Sequence, residues 1–265
     1  MTFNKRSLIT VGVLAIITTA TYYFFTRRGI TYIWHWERIP EMLFYHGPKS
    51  ADDPTSRFRM GILMIGFMLT LKISVFSIFF AIIIGTVVGI ARLSHEPVTR
   101  ALSLGYVELI RNTPLLVQIY IIYFFVGSML RLSALAAGTA ALSIFAGAYV
   151  AEIVRAGIQS IHKGQMEAAR SLGMSYAEAM RHIILPQAFK RIIPPLAGQF
   201  ISLIKDSSLV SVIALADLMF QGQQAVARTY HAFEIYFTVA FLYLVMTFTL
   251  SMATQYIERR LAISD

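Results

Sequence analysis

Few side chains in this sequence could catalyse a reaction, and none of them falls into a catalytic pattern. The chain has no cysteine, which excludes a thiol nucleophile, thiolate metal ligands and a disulfide framework. Its six histidines are scattered, with no H-E-x-x-H pair and no pair at ligand spacing with carboxylates. Neither a G-x-S-x-G elbow nor a G-x4-G-K-[ST] phosphate loop occurs. The sequence therefore predicts no catalytic residue, no metal site and no cofactor bound by this chain.

Polar side chains inside apolar stretches could instead bind a solute. Lipid penalises such groups, so they are expected to face a cavity or one another. Glu152 and Arg155 lie one turn apart, which leaves a local ion pair and a solute contact open and favours the ion pair. A polar interruption of the apolar run 192–215 predicts a broken helix, with solute contact, gating or helix packing as its role. The candidates for the pathway are Gln118, Glu152, Lys205, Asp206, Ser207 and Ser208.

The polar stretch between residues 155 and 191 predicts two short amphipathic helices. Gly173 stands between them, as a residue that can end a helix with positive φ. Ser175 and Glu178 have the spacing of a capping box that begins the second helix, and Pro186 is expected to end it. In the first helix, Glu167 has the spacing for ion pairs with its basic neighbours.

Each of these two helices has about ten residues, which is too short to be stable alone in water. The apolar stripe along them is therefore expected to need a partner surface. A hairpin that is joined to apolar runs at both ends suits a part that receives force from a soluble protein. A solvated loop with ordinary caps is the alternative.

The composition places these residues in a membrane protein. Apolar residues make up 57% of the chain and charged residues 14%, and the mean hydropathy is +0.64. Such a chain needs lipid as a solvent, and in lipid only segments that bond their own backbone are stable, so helices follow. The net charge of +9 does not indicate nucleic acid, because the basic residues lie in short loops between apolar runs.

The apolar runs predict six membrane spans, with both termini in the cytoplasm if the amino terminus lies inside. The runs cover residues 7–25, 60–91, 102–130, 133–154, 192–215 and 233–256. The first run is interpreted as an uncleaved anchor because no small-x-small cleavage site follows it. The predicted parts are an anchor over 1–26, a loop-like extracytoplasmic insert over 27–59, a core over 60–260 with a cytoplasmic loop over 156–190, and a tail over 261–265.

The loop carries a specific resemblance. Glu167-Ala168-Ala169, three residues, Gly173, nine residues and Ile183-x-Leu185-Pro186 resemble the EAA loop of the permease subunits of binding-protein-dependent ABC importers. Four further strings resemble the polar amino acid branch of that family, whose members move glutamate, glutamine, histidine, arginine and similar solutes. They are VELIRNTPLLVQ, GAYVAEIVRAGI, LPQAFKRIIPPL and LIKDSSLVSVIALADL.

The resemblance implies an all-α polytopic fold with five spans in a bacterial inner membrane, to which the amino-terminal anchor is an addition. It implies a second permease copy or paralogue, an external solute-binding protein, a polar amino acid as solute, and ATPase subunits that hold ATP and Mg²⁺. The residues to which it assigns ATPase coupling are Glu167, Ala168, Ala169, Gly173, Ser175, Glu178 and Pro186. An ion-coupled secondary amino acid transporter is the alternative, although the internal repeat of that class is missing from the sequence.

Overall fold

The computed structural model describes residues 15–16, 18–20, 22–23, 32–50 and 53–261 of the chain. The chain divides into two compact units, Met1–Glu37 and Arg38–Asp265. Within the first unit, the described residues between 15 and 23 are helical, and Trp34 stacks on Trp36 with ring centroids 5.7 Å apart. The rest of the predicted anchor over 1–26, and the end of the predicted tail over 261–265, lie outside the described residues.

The predicted loop-like insert contains a β-hairpin. After a 3-10 turn (Trp36–Arg38) and helix α1 (Ile39–Leu43), strand β1 (Phe44–Ser50) pairs antiparallel with β2 (Asp53–Met60). The Phe44 and Phe58 rings stack across the strands with centroids 5.1 Å apart, and such cross-strand aromatic pairs stabilise a two-stranded ribbon. Gly61 joins β2 to the bundle, and a Cβ there would lie 2.2 Å from the Met42 carbonyl oxygen.

Helices form the rest of the second unit. In chain order they are α2 (Ile62–Ala91), α3 (Pro97–Arg111), α4 (Leu115–Tyr120), a π-helical stretch (Ile121–Gly127), α5 (Ser128–Leu130), α6 (Ala134–Gln159), α7 (Lys163–Ser171), α8 (Tyr176–Ala179), a second π-helical stretch (Met180–Ile184), α9 (Leu185–Asp206), a 3-10 stretch (Ser207–Ile213), α10 (Leu218–Thr229) and α11 (Ala232–Leu261).

Among the described residues, four helical segments are long and apolar enough to span a membrane, namely Ile62–Ala91, Ala134–Gln159, Tyr176–Ile213 and Ala232–Tyr256. Taken together as one broken span, Pro97–Arg111 and Leu115–Leu130 are a fifth candidate, and they are bent by 106° at the break between them. The five-span all-α core is therefore confirmed. The sixth, amino-terminal span stays a prediction.

The two most closely packed helices are α2 and α6, and glycines permit their approach. A Cβ on Gly85 would lie 2.4 Å from Val150 Cβ, and a Cβ on Gly89 would lie 2.7 Å from the Ala151 carbonyl oxygen. Small residues have this role in membranes because lipid offers no hydrophobic drive between helices. One buried core surrounds this contact and includes residues of α4, α6, α9 and the 3-10 stretch, and a second joins α1, α2, α10 and α11.

The predicted break at residues 205–208 is wrong, as is the predicted end of a helix at Pro186. The chain stays helical from Tyr176 to Ile213, although the α-helix ends at Asp206 and a 3-10 helix follows, and it leaves the helix at Ala214, which has φ of 56°. Pro186 lies in the first turn after the π-helical stretch, where the regular i→i−4 ladder is already interrupted, so its missing N–H removes little. Neighbouring membrane helices make such interior prolines tolerable.

Candidate functional site

The EAA hairpin (residues 163–184) has the two local features that its sequence predicts. Gly173 ends α7 with φ of +86°, and the Met174 amide donates to the Ala169 carbonyl oxygen at 3.2 Å while the Gly173 amide donates to that of Arg170 at 3.0 Å. The Ser175 amide donates to the Glu178 carboxylate at 2.7 Å, and the Glu178 amide donates to the Ser175 hydroxyl at 3.2 Å. The capping box and the positive φ are both confirmed.

Most of the apolar stripe of the hairpin packs against the chain's own core. Ala169 and Ile184 are buried, and Met166, Met180 and Ile183 pack on the buried residues of α6 and α9. The expectation that the whole stripe needs a partner is therefore wrong. Two large apolar side chains remain outside, since Leu172 is 84% exposed and Tyr176 is 63% exposed.

The ion pairs predicted within α7 are not formed. Among the described residues, Glu167 takes part in no salt bridge, and Arg170 donates to the Met174 carbonyl oxygen at 3.0 Å instead. Glu167 and Ala168 are both exposed. The motif residues therefore present an unpaired carboxylate and a small side chain beside the exposed Leu172.

The hairpin is fastened to the helices at both of its ends. Gly157 of α6 touches α9 so closely that a Cβ there would lie 2.3 Å from Ile192 Cγ1. The Arg191 guanidinium donates to the Ser160 carbonyl oxygen, and the Gln187 amide donates to Gln165 Oε1 at 3.3 Å. These contacts connect the hairpin to both α6 and α9.

Glu152 joins two helices next to the hairpin. Its carboxylate accepts hydrogen bonds from Arg92, at the end of α2, and from Arg155 in the next turn of α6. Arg155 also donates to Gln159. The ion pair that the spacing of Glu152 and Arg155 predicts is confirmed, and Arg92 is a third partner that sequence spacing could not indicate.

A large cavity of about 1300 Å³ lies beside the hairpin. Tyr176, Met180 and Lys163 of the hairpin line it, and His95 and Glu96 of the α2–α3 connection line the opposite side. Its position leaves room for the hairpin to move relative to the end of α2.

Gln118 fastens the bend between α3 and α4. Its amide nitrogen donates to the Ile110 carbonyl oxygen at 2.8 Å and to the Thr113 hydroxyl at 2.7 Å, and the side chain is buried. Its Oε1 has no hydrogen-bond partner among the described residues. The donor half of this amide therefore stabilises the 106° bend, while the acceptor oxygen is buried.

The four residues Lys205–Ser208 lie in different surroundings. Ser207 is fully buried, and its hydroxyl donates to the Ile204 carbonyl oxygen at 2.7 Å. Lys205 and Ser208 face a recess of about 320 Å³ between α9 and α11, whose other walls include Met219, Tyr236 and Tyr243. Asp206 is half-buried and does not line this recess. Of the four candidates, Lys205 and Ser208 are the ones that the structure places at an open space.

Asp217, which was not a candidate, contacts Tyr243, one of the residues that line the recess. It is fully buried, it caps α10 by accepting from the Phe220 amide at 2.9 Å, and its Oδ2 accepts from the Tyr243 hydroxyl at 3.4 Å. Burial raises the pKa of this carboxyl to about 6. An aspartate directly before an amphipathic run is a helix-start signal, and that signal could have found it.

In the described part of the chain, no cluster of histidine and acidic side chains could hold a metal ion. The candidate site therefore has three parts: a hairpin with exposed apolar side chains, a helix pair joined by the Arg92–Glu152 ion pair, and a small recess that contains Lys205.

Comparison with known proteins agrees with this arrangement. Residues 77–263 match the family described as the binding-protein-dependent transport system inner membrane component. The probable glutamine ABC transporter permease protein GlnM of Bacillus subtilis is 46% identical over 199 residues, which are 75% of this chain and 92% of that protein. The glutamine transport system permease protein GlnP of Escherichia coli is 40% identical over 205 residues, 76% of this chain and 94% of that protein.

Solved structures show the same fold. A crystal structure of an amino acid ABC transporter with histidines has a TM-score of 0.71 and 42% identity, over 75% of this chain and 94% of that chain. The inward-facing methionine ABC transporter MetNI shares the fold at 22% identity, with a TM-score of 0.66 over 76% of this chain and 97% of that chain. The family match covers well over half of the sequence, so the chain belongs to the binding-protein-dependent transport system inner membrane components, the multi-pass permease subunits of ATP-driven importers, and not to the ion-coupled secondary transporters.

Proposed function

We propose that this permease imports a polar amino acid and that its EAA hairpin is the surface through which a partner ATPase drives it. The observation that carries the proposal is the exposed patch of Leu172 and Tyr176 on a hairpin whose other apolar residues are already packed. Because the hairpin is fastened to α6 and α9, closure of an ATPase dimer would move both spans as one body. The coupling residues are then Glu167, Ala168, Ala169, Gly173, Ser175, Glu178 and Pro186.

The partners follow from the same proposal. Two ATPase subunits hold ATP and Mg²⁺ and dock on the EAA hairpins of two permease copies, or of this chain and a paralogue. A solute-binding protein delivers the solute from outside, and this chain binds neither nucleotide nor nucleic acid. The hairpin and the basic ends of α2 and α6 then lie in the cytoplasm, as do both termini.

The identity of the solute rests on the relatives and on the recess. Two relatives are named as glutamine permeases, and one solved relative is an amino acid transporter. The exposed Lys205 ammonium in the recess offers donors to a carboxylate, which every amino acid carries, while the Ser208 hydroxyl donates to the Lys205 carbonyl oxygen at 2.7 Å. Glu152, Ser207 and the buried Gln118 have structural roles in this account.

Reconstituted transport tests the proposal. The permease, its ATPase and its binding protein are placed in proteoliposomes, and uptake of labelled glutamine is followed with ATP on the ATPase side. We expect uptake that needs ATP and the binding protein and that vanadate stops. Uptake driven by a sodium or proton gradient without ATP would contradict the proposal.

A further inference from the structure

A second open space lies between α2 and α6, away from the hairpin and the recess. It is an apolar groove of about 530 Å³. Phe76, Phe80 and Ile84 line its α2 side at successive turns, which spans about 12 Å along the helix. The α6 side consists mainly of small residues: Ser133, Ala136, Thr139, Ala140 and Ser143. The groove is long, narrow and apolar, which suits a hydrocarbon chain.

The register of the two helices shows which residues lie at each end of this groove. The Ser77 hydroxyl donates to the Thr139 carbonyl oxygen at 3.4 Å, and a Cβ on Gly89 would lie 2.9 Å from Val154 Cβ, so α2 and α6 run parallel. Lys72 is therefore level with the first turn of α6. From Lys72 to Arg92 is about 30 Å along α2, which equals the thickness of the hydrocarbon core. With the hairpin on the cytoplasmic side, as proposed above, Lys72 and the start of α6 lie at the outer end of the groove.

Positive charge collects at this outer end of the groove. Lys72 is exposed and precedes Phe76 by four residues, so it lies on the stripe of α2 that lines the groove. In the described part of the chain it makes no salt bridge. Arg131, also exposed, lies two residues before the first residue of the groove on α6, and the positive end of the α6 dipole points the same way.

We propose that the groove holds one acyl chain of an anionic phospholipid from the outer leaflet, with its phosphate on Lys72 and Arg131. An unpaired ammonium that faces hydrocarbon is costly, and a lipid phosphate at this depth neutralises it. The chain fills the space between α2 and α6, the two helices that Glu152 joins at their other end. The inference rests on the orientation given in the proposed function and is independent of which solute is carried.

Native mass spectrometry of the purified transporter complex, incubated with phosphatidylglycerol and phosphatidylcholine, tests the headgroup contact. The wild type is expected to retain phosphatidylglycerol in preference to phosphatidylcholine. Lys72→Gln is expected to lower that preference about fivefold, the effect of removing one cation near a lipid surface. Lys190→Gln removes an exposed lysine elsewhere and should leave it unchanged. Equal retention of the two lipids by the wild type, or an unchanged preference in Lys72→Gln, would overturn the proposal.

A second set of variants tests the acyl chain. Ala140→Phe fills the groove and should abolish lipid retention, whereas Val87→Phe adds the same ring on an exposed position of α2 outside the groove and should retain lipid. Because the chain lacks cysteine, Ala140→Cys reports any protein neighbour cleanly. A disulfide between the Ala140→Cys cysteines of two permease copies would assign the groove to a second permease. A disulfide between the two cysteines of an Ala140→Cys, Thr19→Cys double variant would assign it to the amino-terminal unit. Either disulfide would overturn the proposal.

Discussion

Arg92 at the end of α2 and Glu152 on α6 form an ion pair that closes the most tightly packed helix pair of the permease. The same carboxylate binds Arg155, one turn before α6 ends at Gln159. One acidic side chain therefore holds two cations, and through them the α2 helix, the α6 helix and the entry to the hairpin.

Replacing this acid should loosen the helix pair. Glu152→Gln leaves Arg92 and Arg155 close together without a counter-charge, and we expect it to lower the free energy of unfolding by about 2 kcal/mol. Thermal unfolding of the purified permease measures the change. Glu108→Gln is the matched control, because the exposed Glu108 carboxylate accepts a hydrogen bond from Asn112, which caps the same helix, and from no other described residue. Equal stability of the two variants would show that the ion pair does not hold the helices.

The positive φ of Gly173 predicts a graded series. A left-handed conformation costs a β-branched residue about 1–2 kcal/mol, and asparagine tolerates it best among the residues with a side chain. No atom lies within 4 Å of a Cβ built there, so the backbone conformation alone determines how well a side chain is tolerated at this position. We expect Gly173→Val to reduce ATP-driven uptake strongly and Gly173→Asn to preserve most of it. Equal uptake by both variants would show that coupling does not depend on the turn at Gly173.

The buried Asp217 carboxyl should make stability depend on pH. Its pKa is about 6 in the folded protein against an ordinary value of 3.8, so between these pH values the folded state binds more protons than the unfolded state. The free energy of unfolding therefore falls as the pH rises through this window, by about 3 kcal/mol in all. Asp217→Asn keeps a helix cap without ionising and should flatten the profile of Tm between pH 4 and 7. A wild-type profile as flat as that of the variant would contradict the raised pKa.

Lys205 provides a test of the recess. If its ammonium meets the carboxylate of the solute, Lys205→Met should slow uptake about tenfold, because a hydrogen bond to a charged group contributes about 1.5–3 kcal/mol. Folding should be unaffected, since the side chain is exposed. Lys190→Met is the control on the same helix. Uptake at the wild-type rate in Lys205→Met would exclude a solute contact there.

The features that the sequence predicts correctly are local ones. The capping box of Ser175 and Glu178 and the turn at Gly173 depend on a few neighbouring residues, and the spans depend on runs of apolar residues. The error at Pro186 and at residues 205–208 has the opposite origin. Proline and polar residues indicate a helix end when only their neighbours are considered, but a helix packed among other helices continues through them.

In the candidate site, too, the sequence predicts local contacts but not contacts between distant residues. The spacing of Glu152 and Arg155 predicts their ion pair, but the third partner, Arg92, lies 60 residues earlier and is found only from the packing of α2 on α6. Likewise, only the packing of α11 distinguishes Lys205 and Ser208, which face a recess, from Ser207, which is fully buried. The stripe of the hairpin required the tertiary structure to show which of its residues remain exposed.

The most direct test of the central claim uses the cysteine-free chain as a clean background for cross-linking. A cysteine is introduced by Leu172→Cys on the exposed patch of the EAA hairpin, or by Val98→Cys at an exposed apolar position of α3 as a control, and the complex is treated with a short thiol-reactive cross-linker. The account predicts that Leu172→Cys joins the ATPase, that Val98→Cys does not, and that the cross-linked complex loses ATP-driven uptake. Absence of any product between Leu172→Cys and the ATPase, in a complex that still transports, would contradict it.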